Sequence, residues 1–181
     1  MTVAIAPAIL IWPWGQRLLH WFLAACVIAA TWTHEGGAVH EAAGYGALAA
    51  ALARIALGLC GPDPARFAAF VRGWRTTWHY AKAVWRHDEH RYVNHNPLGA
   101  WMTATLLTLA ALGALSGWLY TTERYWGEAW VINLHAALSW PFVLLVPLHL
   151  AGVVHASLRH RENLVTAMLH GYKRGEDKSS P

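Results

Sequence analysis

Four long apolar runs, almost free of charge, constrain this chain more than any other feature. Leu18 to Trp32 and Pro97 to Tyr120 contain no formal charge, and neither does Ala129 to Leu158, a run of 30 residues. Ala42 to Cys60 contains one charge, Arg54. About 20 apolar residues in a helix cross the hydrocarbon core of a bilayer, and runs of this length read as spanning helices. The first run is short, and Ile9 to Trp14 extend it into the interface. The expected fold is an all-α membrane protein, a bundle of four transmembrane helices over about 13–33, 40–60, 97–120 and 129–158. Composition agrees. Charged residues make up 13% of the chain, against about 25% in soluble domains. That excludes a disordered chain and leaves too little charge to cover a water-soluble surface.

The net charge of +4 reads as topology rather than a nucleic-acid footprint. The loop between the second and third runs holds Arg66, Arg72, Arg75, Lys82, Arg86 and Arg91. The C-terminal segment holds Arg159, Arg161, Lys173, Arg174 and Lys178, and Arg17 flanks the first run. The loops Thr33–Val39 and Thr121–Glu128 hold only Arg124. By the positive-inside rule both termini and the long loop of this multi-pass membrane protein are cytoplasmic. A polar tail covers 175–181.

The long loop has a pattern of its own. Phe67, Phe70, Val71, Trp74, Trp78, Ala81 and Trp85 recur at helical spacing. Asp63 followed by Pro64 reads as an N-cap with proline at the first helical position. The expectation is an amphipathic helix over about 63–87, lying on the cytoplasmic membrane surface. Cys26 and Cys60 make no disulfide framework, and without a C-x-x-C-H motif covalent haem attachment is not expected. Leu23-Ala24-Ala25-Cys26 looks like a lipoprotein cleavage box, but its first positive charge comes only at Arg17, unlike a charged signal-peptide start.

An ionisable side chain inside a membrane is expensive and marks a functional candidate. Four histidines qualify: His20, His40, His135 and His149. His135 and His149 lie 14 residues apart, about 40° short of four turns and about 21 Å along the axis. They share an inward seam, with Pro141 and Pro147 able to rotate the lower half. His20 lies 13 residues before Thr33, about 20 Å below the outer end of the first helix, while His40 sits at that outer end. Depth therefore selects two pairs, His40 with His135 outside and His20 with His149 inside. Neutral imidazoles ligate haem iron, and paired ligands on facing helices are how bundles hold such groups. Zinc is the rival, but a structural zinc site wants four ligands at one place and each level offers two. Small residues after the histidines, Gly44, Gly46, Ala47, Ala136 and Ala137, leave room for a flat macrocycle or for close helix contact.

Other polar residues have blander readings. Asn96 before Pro97 is an N-cap, with His95 beside it as a candidate for a quinone or proton-entry site. His87 and His90 have metal-like spacing without a third ligand. His34, His79, His155, His160 and His170 are expected at the interface.

The residues resemble a known family. The marks are Arg17-x-x-His20-Trp21, His40-x-x-x-Gly44-Tyr45 followed by Arg54, His95-Asn96-Pro97-Leu98-Gly99, and His135 with His149 followed by Arg161-Glu162-Asn163-Leu164. Together they resemble the bacterial dihaem cytochrome b561 family, which is grouped with the b-type cytochrome subunits of nickel-iron hydrogenases. The resemblance implies four helices, two haem b groups and axial ligands at His20, His40, His135 and His149. It also implies electron transfer between the quinone pool and a periplasmic redox partner. Hydrogenase-type members usually carry a fifth helix, and only four runs are found here. One branch of the family resembles superoxide oxidases, which pass electrons from superoxide to ubiquinone, so a superoxide:ubiquinone oxidoreductase is the alternative. A non-redox proton or metal transporter lined by histidine is the third reading. Arg17 and Arg54 lie toward the inner side, where they could pair with propionates of an inner haem or snorkel to headgroups.

Overall fold

In the computed structural model, residues 7–175 are described. The chain runs β1 (Ala8–Leu10), α1 (Trp14–Trp32), α2 (Ala38–Cys60), α3 (Phe67–Phe70), α4 (Trp74–Trp85) and α5 (Pro97–Tyr120), then α6 (Ala129–Ser139), α7 (Pro141–Arg159), α8 (Leu164–His170) and β2 (Tyr172–Arg174). Three helical stretches are long and apolar enough to cross a membrane: Ala38–Cys60, Pro97–Tyr120 and the combined Ala129–Arg159. Helix α1 has 19 residues and is about 28 Å long. Gln16, Arg17 and His20 in its first two turns lower its apolar character.

Helix α1 packs on α2, α2 on α5, and α5 on both α6 and α7. Alanines make these approaches close. Ala51, Leu107 and Ala110 form a buried cluster that Leu23, Phe67 and Phe142 pack against, and small interface residues let helices meet in a membrane, where the hydrophobic effect does not drive them together. Helices α2 and α6, and likewise α1 and α7, are not among the closely packed pairs. Within Ala129–Arg159, no residue of the most apolar window is buried against protein.

The ends of the helices follow local chemistry. Asn96 caps α5: its Oδ1 accepts from the Gly99 N–H at 2.8 Å, and Pro97 takes the first position, where no donor is needed. Asn163 caps α8 in the same way through Thr166. The last run is two helices. Trp140 joins them with right-handed helical torsions, and Pro141 opens α7. Pro147 inside α7 cannot donate to the carbonyl four residues earlier.

The single amphipathic helix expected over 63–87 is not what forms. Asp63 and Pro64 lie in a turn closed by the Ala65 N–H on the Pro62 carbonyl at 2.9 Å. The helical segments are α3 and α4, separated by extended backbone at Val71 and at Gly73, which caps α4. The hydrophobic spacing spans the break because both segments pack on α5, so periodicity alone did not reveal it. The tail expected over 175–181 lies outside the described residues beyond Gly175.

A small frame ties the two ends of the described chain together at one end of the bundle. Strands β1 and β2 pair antiparallel, Ala8 opposite Arg174. The Ile11 and Trp12 N–H groups both donate to the Gly171 carbonyl. Gly171 has φ +90, and a Cβ there would sit 2.5 Å from the Trp12 carbonyl oxygen, so only glycine fits. Glu162 accepts from Arg91 at 2.9 Å and from the Arg174 N–H at 2.9 Å, with Lys173 at 3.6 Å. Burial alone pushes the Glu162 carboxyl up, but Arg91, the Arg174 N–H and Lys173 hold it below the usual carboxylate range. A carboxylate with a depressed folded pKa stabilises above its unfolded pKa and loses that contribution as pH falls through the folded value. Glu162→Gln is therefore predicted to lower stability by about 2 kcal/mol at pH 7. Thermal melts in detergent should show that this difference shrinks toward zero as the pH falls below about 4.

Candidate functional site

The four helix-borne histidines come together as two pairs, an outer and an inner one in the topology expected from the charges. His40, on the first turn of α2, faces His135 on α6 with ring centres 5.9 Å apart and planes at 80°. His20 on α1 faces His149 on α7 with ring centres 6.5 Å apart and planes at 52°. A metal–imidazole bond is about 2.0–2.1 Å, and the ring centre lies about 1.1 Å beyond the nitrogen. Two imidazoles on opposite sides of one metal ion would thus sit about 6.3 Å centre to centre. Both observed separations match that span. These pairs belong to helices that do not pack closely, so each gap is crossed by side chains while the backbones stay apart.

The outer pair is oriented by its hydrogen bonds. The Nδ1 of His40 lies 3.1 Å from the Ala30 carbonyl. Ala30 is in the last turn of α1, where carbonyls lack helical partners. The Nδ1 of His135 lies 2.9 Å from the Gly113 carbonyl and 3.1 Å from Ser116 Oγ, which itself donates to the Gly113 carbonyl at 2.7 Å. A carbonyl only accepts, so both Nδ1 atoms carry the proton. In the neutral form such a ring is left with an Nε2 lone pair, the form in which histidine binds metal. Glycine makes the room. A Cβ at Gly117 would approach the His135 ring to 3.1 Å, and at Gly44 it would meet open space. Both glycines, with His34, Glu35, Glu41, Tyr45 and Trp126, line a cavity of about 410 Å³ that holds the outer pair, within the usual range for small-molecule sites.

The inner pair sits among polar groups that lack partners among the described residues: His20 Nδ1, Gln16 Oε1, Arg17 Nε and Arg54 Nη1. Buried polar atoms left alone are costly; the two guanidinium nitrogens mark a place for acceptor atoms of a ligand, while Gln16 Oε1 calls for a donor. Arg54 is 6% exposed, and its guanidinium lies 5.1 Å above the Phe67 ring. Gly58 admits that ring, since a Cβ there would stand 2.3 Å from it. Arg17 is placed differently: one of its amino groups donates to the Leu169 carbonyl, near the end of α8. His95 stacks on Phe70 at 4.4 Å and meets the Trp12 ring edge-on. Burial pushes its imidazole down to about 3, and Arg54 and Lys173 add to the shift, so this ring stays neutral.

The remaining histidines are scattered. His90 packs on Tyr92 and Tyr80, and His170 accepts from the Tyr172 N–H. Among the described residues no group of three or more His, Cys, Asp or Glu could hold a metal ion. His155, expected at the interface, lies 3.4 Å from Glu89, which Arg159 also holds at 3.1 Å. Burial alone pushes the Glu89 carboxyl up, but its own backbone hydrogen bond, Arg159 and His155 bring it below its ordinary range. Sequence reasoning missed Glu89, Ser116, Gly117 and the Ala30 carbonyl. The partners of Glu89 lie about 70 positions away, and a carbonyl leaves no trace in residue type.

A family model described as prokaryotic cytochrome b561 matches residues 11–171. No curated protein and no solved structure matches.

Gly117→Val is predicted to displace the His135 ring and to lower the haem content of the purified chain. Gly152→Ala, where a Cβ meets nothing within 4 Å, is predicted to leave that content unchanged. Haem quantification against protein concentration checks both.

Proposed function

The chain belongs to the prokaryotic cytochrome b561 family, and from that premise we propose a dihaem form of its membrane electron transfer: electrons pass between the quinone pool and a periplasmic redox partner. The single observation that carries the reading is the pair of imidazole couples, 5.9 Å and 6.5 Å apart, at two depths of one bundle. In this reading α1 is a fourth span, both termini are cytoplasmic, and α4 lies at the cytoplasmic membrane surface.

The residues fit two b haems. His40 and His135 would hold the outer one, and His20 and His149 the inner one. When bound, each haem supplies a one-electron iron couple. The chain does the rest. The Ala30 and Gly113 carbonyls hold Nδ1–H and aim Nε2 inward. Gly44 and Gly117 keep the outer space clear. Arg54 offers an unsatisfied guanidinium nitrogen to a propionate on the inner side. Arg17 does so only through Nε, because its amino group is given to α8. The spacing of His135 and His149, about 21 Å of helix rise, separates the two centres across the membrane.

A superoxide substrate finds little help from charge. Glu35 and Glu41 line the outer cavity, and Arg124 is the one basic residue in the outer loops. An anion approaching that mouth is repelled.

Reduced-minus-oxidised spectra of single variants test the pairing. His40→Ala and His135→Ala are predicted to remove the same set of b-type bands, and His20→Ala and His149→Ala the other set. Loss of one common band set by His135→Ala and His20→Ala would contradict the proposal.

A further inference from the structure

Helix α4 carries three stripes along its length. At about 100° per residue, Thr77, Tyr80 and Val84 fall within about 60° of arc; Thr77 and Tyr80 are buried, on the side that packs on α5. Trp74, Trp85 and Trp78 fall within the next 40° or so and are 68%, 87% and 51% exposed. Lys82 and Arg75 follow directly, both exposed. The Trp74 and Trp78 rings stack at 6.1 Å, and Lys82 Nζ lies 5.5 Å from the Trp78 ring centre. Arg72 and Arg86 flank the two ends, and no acidic residue occurs between Arg72 and His87. The start of the helix is pinned to the inner end of a span: Trp101 Nε1, near the start of α5, donates to the Arg72 carbonyl at 3.1 Å.

We propose that this outer face of α4 binds the headgroups of anionic phospholipids in the cytoplasmic leaflet. Arg75 and Lys82 take the phosphate oxygens, and Trp74, Trp78 and Trp85 enter the boundary between headgroup and acyl chain. The order of the stripes carries the argument. A helix facing only water has no use for three exposed indoles in one row. Indoles favour the membrane interface, where one end of the ring is apolar and the other wet. A cationic row beside them, without a carboxylate, complements a negatively charged leaflet. Arginine adds forked donors that match phosphate oxygens. An acidic soluble protein is the competing occupant, and the experiment separates the two. The inference rests on the proposed surface placement of α4.

The haem-loaded protein is taken up in nanodiscs of mixed phosphatidylcholine and phosphatidylglycerol, then released and weighed by native mass spectrometry with its retained lipids. Wild type is expected to retain phosphatidylglycerol preferentially. Arg75→Gln with Lys82→Gln is expected to cut that retention several-fold, up to about fivefold per charge removed, with haem absorbance unchanged. Arg124→Gln in an outer loop is expected to leave retention as in wild type. Equal retention by wild type and the double variant overturns the proposal. A second measurement tests placement. Brominated phosphatidylcholine should quench less fluorescence when Trp74, Trp78 and Trp85 are all replaced by Phe. If the quenched amount is unchanged, α4 is away from the lipid and placement and proposal fall together. If quenching falls but retention ignores the charges, only the anionic preference is overturned.

Discussion

Two gaps of about 6 Å between imidazole rings, held open between helices that do not pack on each other, are the constraint on which the rest of this structure depends. An imidazole in a bilayer is costly unless it has a partner. Here four of them point at one another in twos, and the helices carrying them stay apart. The pairs that carry the facing histidines, α2 with α6 and α1 with α7, are both outside the closely packed set. Close packing is confined to the seams that need no ligand, where alanines bring α2 and α5 together. That division of labour explains why the stretch bearing His135 and His149 buries so little against protein.

The two levels are built differently. The outer rings are fixed by carbonyls of neighbouring helices, a device that sets tautomer and direction together. The inner rings lie among unsatisfied polar atoms, with Arg54 brought in on the Phe67 ring. The position of that inner level depends on the frame below it. Arg17 is tied to α8, Glu162 gathers Arg91, Lys173 and the strand β2, and Glu89 holds Arg159 at the end of α7. These links join α1 and α7 at their inner ends without closing the space between His20 and His149.

Much of this was legible in the sequence, for physical reasons that differ between elements. Uncharged runs have to be helices in lipid, so α2, α5 and the α6–α7 stretch followed from hydropathy. The histidine pairs followed from rise per residue and chain direction, which need no knowledge of side-chain contacts. The Asn96 cap was readable because its chemistry is local. The break between α3 and α4 was not, because Val71 continues the apolar pattern while its backbone turns extended. The β1–β2 pairing and the Glu89 and Glu162 clusters were also invisible. They join residues from opposite ends of the chain, and no periodicity marks a contact over that distance. Arg17 read as a partner for a propionate or a headgroup, and the helix α8 that claims its amino group lies 152 positions away.

The most direct measurement is the haem content of the purified wild-type chain together with the spin state of its ferric iron. The account predicts about two b-type haems per chain, both low-spin, each with two imidazole ligands. A ratio near one or zero after growth with ample porphyrin supply, or a high-spin centre with an open axial position, would contradict it.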